Sequence, residues 1–148
     1  MDKEIIRRWE NNKEHLRSHI KNLRYGDCNT YEKMVRILIS ECLNYGDDLS
    51  GDTFNADEIV RIDHGHYQGT EIYLFHMDTY QPGVDEYYIF NNYYGSCSGC
   101  DALKGIFDGW DAYKDPVTDE QADELMTLLL HMVQRIRCLD CIWKEDNL

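Results

Sequence analysis

Proline is nearly absent, with two in 148 residues, and glycine stands at ten. Neither approaches what a collagen-like or low-complexity chain requires. Long apolar runs are missing too: the most apolar stretch, Leu125 to Val133, falls far short of the about 20 residues that cross a bilayer. The opening run, Met1-Asp2-Lys3-Glu4-Ile5-Ile6-Arg7-Arg8-Trp9-Glu10, is charged from its second residue and holds no apolar stretch of the secretory kind. Basic charge is scarce: 15 Lys and Arg face 28 Asp and Glu, a formal net charge of −13. That balance argues against direct binding of nucleic acid, whose affinity comes from Lys and Arg on phosphates. It argues equally against docking on an anionic membrane. Signatures of known catalysts are lacking as well. There is no G-x-S-x-G elbow, no G-x-x-x-x-G-K-[ST], no G-x-G-x-x-G and no H-E-x-x-H. The acidic loop Asp47–Glu58 lacks the ligand order and glycine of an EF-hand. These absences predict a soluble, cytoplasmic protein.

What is present suits one globular domain over residues 1–148. Hydrophobic residues make up 43% and aromatics 12%. A chain of this length buries roughly 68–70% of its unfolded surface, so no disulfide staple is needed. Ile5, Trp9, Leu16, Ile20 and Leu23 recur at helical spacing and predict an amphipathic helix over about 2–23. Asn29 with Glu32 reads as a capping box for a second helix that Gly46 stops. From about residue 57 the period changes to two. Strands are predicted at 59–63, 71–77 and 87–94, with 71–77 in the middle because it is apolar on both faces. A short helix at about 99–107, closed by Gly109, leads to a second capping box, Thr118 with Gln121. Behind it Ala122, Leu125, Met126, Leu129, Met132, Val133 and Ile136 form the clearest helical stripe. The expected fold is α+β: two N-terminal helices, a three-stranded antiparallel meander, then a short helix and a long C-terminal helix packed on it.

Charge is lopsided. Residues 1–36 carry nine Lys/Arg against six Asp/Glu, a balance of +3; residues 37–148 carry six against twenty-two, a balance of −16. The candidate partner-binding carboxylates fall in two clusters, Asp47, Asp48, Asp52, Asp57 and Glu58, then Asp111, Asp115, Asp119 and Glu120. Such density reads either as a solvated surface or as a face aimed at a basic protein.

Six cysteines are many for a reducing compartment, where a disulfide framework does not persist. Four form two C-x-x-C pairs, Cys97/Cys100 and Cys138/Cys141. That spacing lets two thiolates face one tetrahedral ion at about 2.3 Å, which makes the four candidate ligands of a structural zinc. The separation of the pairs, thirty-seven residues between Cys100 and Cys138, exceeds that of a zinc ribbon. Free thiols and a redox pair at Cys97/Cys100 stand as the other readings. His64, His66 and His76 lie at the ends of the first two predicted strands and form a second constellation. With a carboxylate, such imidazoles suit a catalytic metal.

Three blocks of sequence carry a resemblance: His66-Tyr67-Gln68-Gly69-Thr70, then Asp78-Thr79-Tyr80-Gln81-Pro82, then Tyr93-Tyr94-Gly95-Ser96-Cys97-Ser98-Gly99-Cys100-Asp101-Ala102-Leu103. Together they resemble a family of small uncharacterised proteins of bacteriophages and Gram-positive bacteria. The family pattern has aspartate where this chain has His66, which weakens a metal role for that residue. Cys138 and Cys141 lie outside the blocks. The resemblance implies a phage or mobile-element setting and no particular activity.

Two function classes follow. One is a non-enzymatic acidic binding protein, of the anti-CRISPR or anti-restriction kind, that inhibits a host nucleic-acid-handling protein by filling a basic channel built for phosphates. The alternative is a small zinc- or thiol-dependent enzyme using Cys97/Cys100 or His64/His66/His76.

Overall fold

The structure, a computed structural model, describes residues 2–46, 52–66, 68–108 and 115–146. Helix α1, Lys3–Ile20, begins where the Asp2 carboxylate accepts the Ile5 N–H at 3.0 Å. Its buried side chains include Ile5, Trp9, Leu16 and Ile20, the stripe expected from helical spacing. On its first turn the Arg7 and Arg8 guanidiniums bind Glu4, and this pairing holds the Glu4 carboxyl down at about 2. A depressed carboxyl stabilises the fold in its ionised form. The contribution of Glu4 is therefore expected to be full above its ordinary 4.5 and to fade as pH falls towards about 2. A carboxyl NMR titration checks this, and a Glu4 midpoint at its ordinary value would refute it.

Helix α2, Tyr31–Leu38, is capped by Thr30, whose hydroxyl accepts the Lys33 N–H at 3.2 Å. Asn29, the expected cap, instead accepts the Lys33 ammonium at 2.9 Å. The helix widens into a π turn, Ile39–Leu43. Its last carbonyls are satisfied from α1: Arg8 donates to the Leu43 carbonyl at 3.0 Å, and Asn12 donates to those of Cys42 and Tyr45 at 2.8 Å each.

Among the described residues the sheet has four strands, not the expected three. Strands β1 (Val60–Asp63), β2 (Gly69–His76) and β3 (Tyr87–Tyr94) form the antiparallel meander, with β2 central as its two-sided apolar pattern predicts. After α3 (Ala102–Ile106), helix α4 runs over Asp119–Arg135 with the expected Thr118–Gln121 capping box. The chain does not continue as helix into the second cysteine pair. At Ile136 it extends, and β4 (Arg137–Cys138) adds to β3 through the pairs Ile89↔Arg137 and Tyr88↔Cys138. A short last helix, α5, follows over Leu139–Asp146. Two residues have no readable period, which is why this strand escapes a pattern reading.

One face of the sheet meets the helices. Tyr73 stacks on Phe90 with centroids 5.2 Å apart, Phe75 stacks on Tyr88, and Phe54 meets both Phe75 and Tyr88 edge-on. Leu125, Leu129, Met132, Val133 and Ile136 from the α4 region are buried in the same core. Strand β1, at the sheet edge, is exposed along its length, and Val60 and Ile62 keep 49% and 41% of their surface open. Among the described residues no helix is long and apolar enough to cross a membrane.

Candidate functional site

The distinctive Gly-Ser-Cys-Ser-Gly-Cys-Asp run is a tight loop tied off by its last residue. Strand β3 ends at Tyr94. A Cβ on Gly95 would overlap the Cys100 carbonyl and lie 2.8 Å from the Asp101 nitrogen, so only glycine fits there. The Cys97 carbonyl accepts the N–H groups of Cys100 at 3.1 Å and Asp101 at 2.9 Å. Buried Asp101 closes the loop. One carboxylate oxygen accepts the Gly95 N–H at 2.8 Å and the Tyr31 hydroxyl at 3.1 Å; the other accepts the Lys104 N–H at 2.8 Å and caps α3.

This loop holds Cys97 and Cys100 exposed, with their sulfurs 2.9 Å apart. The Cys97 N–H points at the Cys100 sulfur at 3.2 Å, and the Ser96 hydroxyl lies 3.7 Å from it. The Cys97 thiol, then Ser96, favours the thiolate and brings Cys100 down to about 7. Burial does the opposite to Cys28 and Cys42, pushing them up to about 11 and about 12, so both stay unreactive thiols.

The second pair lies elsewhere. Cys138 is half-buried in β4 beside Tyr88, with its sulfur 3.7 Å from the Asp85 carbonyl. Cys141 is exposed on α5, and a hydrogen bond with Cys138 raises its pKa. Tyr88 and Tyr94 stand six residues apart on β3, roughly 20 Å at the usual strand rise. Two sulfurs on one zinc sit within about 4 Å of each other, given bonds of about 2.3 Å. The structure therefore does not gather Cys97, Cys100, Cys138 and Cys141 around one ion, because β4 docks at the far end of β3. Among the described residues no group of three or more His, Cys, Asp or Glu is placed to hold a metal.

Nor are the histidines gathered. His64 and His66 follow β1 on the exposed side, next to the Asp63↔Glu71 pair, while His76 ends β2. Glu71 and His76 stand five positions apart on β2, about 17 Å. Both His76 ring nitrogens are engaged, Nδ1 with the Met77 carbonyl at 2.6 Å and Nε2 with Glu58 at 2.9 Å.

A cleft of about 400 Å³ opens between the sheet, the start of α2 and the thiol loop, lined among others by Tyr31, Arg61, Glu71, Tyr73, Tyr94 and Asp101. Glu71, 1% exposed, organises it. One oxygen accepts the Tyr73 hydroxyl at 2.8 Å and the Asn92 amide at 3.1 Å; the other accepts Arg61 Nε at 2.6 Å. Arg61 also reaches Asp63 at 3.1 Å, and the Tyr94 hydroxyl donates to Asp63 at 2.6 Å. Burial, reinforced by Glu71, raises the Tyr73 phenol, and burial raises that of Tyr31. Both are hydrogen-bond donors at neutral pH. The cleft can orient a polar ligand, while its two buried carboxylates are committed to protein donors. Pattern reading passed over this network. A signal existed: Glu71 and Asn92 occupy inward positions in line with Tyr73, Phe75 and Phe90.

Of the candidate partner-binding carboxylates, Asp47, Asp48 and Asp111 lie outside the described residues. Asp52, Asp57 and Glu58 are exposed just before β1. The Asn55 side chain accepts the N–H groups of Asp57 at 2.9 Å and Glu58 at 3.0 Å, fixing that turn. Asp115, Asp119 and Glu120 are exposed as well, but their neighbourhood is partly neutralised. Lys21 pairs with Asp119 and lowers its pKa, and Arg17 binds Asp123 at 2.7 Å. The basic α1 thus lies against the acidic start of α4. Comparison with known protein families, curated proteins and solved structures yields no match.

Proposed function

We propose that the protein is an acidic binding protein that acts in the cytoplasm on a basic host protein, occupying a surface built for nucleic-acid phosphates. One observation carries this reading. Exposed Asp57 and Glu58 lead along the chain into the open apolar side chains Val60 and Ile62 of the edge strand β1, with exposed Asp52 a few residues earlier. An apolar strip rimmed by charge is the anatomy of a protein interface. The net charge of −13 adds long-range attraction to a basic partner. The phage or mobile-element setting implied by the sequence resemblance gives such an inhibitor a role. The second cluster contributes less, because Lys21 and Arg17 already face it.

The test starts from host nucleic-acid-binding proteins immobilised on a sensor. Association should slow as salt shortens the screening length, and duplex DNA or RNA should compete for the same surface. Asp57→Lys with Glu58→Lys should slow association about tenfold with little change in dissociation. Asp119→Lys with Glu120→Lys should have a smaller effect. Binding that is insensitive to salt and to reversal of both clusters would overturn the reading. The thiol alternative draws on the Cys97–Cys100 pair alone, since His64 and His66 are remote from His76.

A further inference from the structure

We propose that Cys97 and Cys100 form a thiol–disulfide exchange centre whose substrates are anionic disulfides. The geometry has three parts. Both sulfurs are exposed and already in contact at 2.9 Å, so closing a bond of about 2.05 Å needs only a small shift. The loop carrying them is held at both ends by Asp101, so the thiols are presented together rather than on a wandering segment. The Cys97 N–H faces the Cys100 sulfur, which suits Cys100 to be the attacking thiolate and Cys97 the resolving thiol.

The substrate class comes from what surrounds Cys100. A groove of about 220 Å³ beside it is lined by Tyr93, His131 and Arg135, the last two exposed and one helical turn apart on α4. Lys104 reaches over the loop to the Ser96 carbonyl at 3.4 Å. In a chain of net charge −13, Lys104 and Arg135 bring two cationic side chains to the surroundings of the thiol pair. They suit a disulfide that carries carboxylates.

The chemistry balances without a metal or cofactor. The Cys100 thiolate attacks one sulfur of R–S–S–R; that S–S bond breaks, and RS⁻ leaves and takes a proton from solvent. The Cys97 thiol then loses its proton, attacks the Cys100 sulfur of the mixed disulfide and expels the second RS⁻. The protein loses two electrons and the substrate disulfide gains them, giving two RSH and a Cys97–Cys100 disulfide. An external thiol runs the sequence backwards.

The experiment uses the full chain, reduced, purified without chelator and assayed for zinc. It is mixed with oxidised glutathione or, at equal concentration, with cystamine, a cationic disulfide. Intact mass and peptide mapping should show a Cys97–Cys100 disulfide, formed about tenfold faster with glutathione disulfide than with cystamine. Arg135→Glu should abolish that preference. In Cys97→Ser the mixed disulfide should accumulate on Cys100. Because both sulfurs are exposed, the serine variant is expected to keep its circular dichroism, and mapping of the unmodified protein stands as a readout independent of it. The proposal is overturned if no Cys97–Cys100 bond forms, if the glutathione adduct settles on Cys138 or Cys141, if cystamine reacts as fast, or if zinc occupies the pair.

Discussion

Glu71→Ala is expected to destabilise the fold by about 2–4 kcal/mol, the scale of orphaned buried hydrogen-bonding groups. Glu71 is the shared acceptor for Tyr73, Asn92 and Arg61. Tyr73 and Asn92 are buried, so without the carboxylate a hydroxyl and an amide lose their partner away from water. Arg61 adds less, since its side chain is 41% exposed and water can replace the lost ion pair. A loss near 3 kcal/mol corresponds to a melting point lower by roughly 6–12 °C in a chain of this size. Tyr73→Phe is the control. It removes one donor and leaves the carboxylate its other partners, and it should cost about 1 kcal/mol. A melting point for Glu71→Ala within a degree of the parent would show that the network is not structural.

Arg8→Ala should be the other large loss, again about 2–4 kcal/mol by the same reasoning. Arg8 is buried although it sits in a helix rich in surface charge. Its guanidinium donates to the Leu43 carbonyl at 3.0 Å, to the Asp52 carbonyl at 3.0 Å and to Glu4 at 2.9 Å, and it lies 4.9 Å from the Phe54 ring centroid. One planar fork therefore joins α1, the end of the π turn and the segment leading to β1. Lysine has no fork and only a point charge, so Arg8→Lys should recover little. Arg7→Ala is the matched control: its Glu4 pair is exposed, and such pairs contribute about 0–1 kcal/mol. Urea unfolding of the three variants checks the order, and full stability in Arg8→Lys would refute the clamp.

Both side chains show where pattern reading stops. Arg8 and Glu71 are charged residues in a helix and a strand, and composition assigns them to the surface. Their burial follows from neighbours far along the chain, Leu43 and Asp52 for one, Asn92 for the other. The same limit applies to the acidic clusters. Charge counting separates a basic start from an acidic remainder, yet α1 folds against α4, so Arg17 and Lys21 meet Asp123 and Asp119 across about a hundred residues of chain. The cluster before β1 leads along the chain into Val60 and Ile62, whose exposure charge counting does not reveal.

What the residues determine by themselves is local. Helical spacing placed the buried stripes of α1 and α4, Thr118 and Gln121 marked a helix start, and apolar residues on both faces put β2 between β1 and β3. The C-x-x-C spacing likewise identified Cys97 and Cys100 as a pair, because two residues of a tight loop cannot carry the thiols far apart. Tertiary structure decided the rest. The two residues of β4 have no period of their own and become a strand only because β3 offers an unpaired edge at Tyr88 and Ile89. That pairing carries Cys138 to one end of β3 while the loop after Tyr94 keeps Cys97 at the other, so four cysteines that spacing alone could assign to one ion become two separate dithiols.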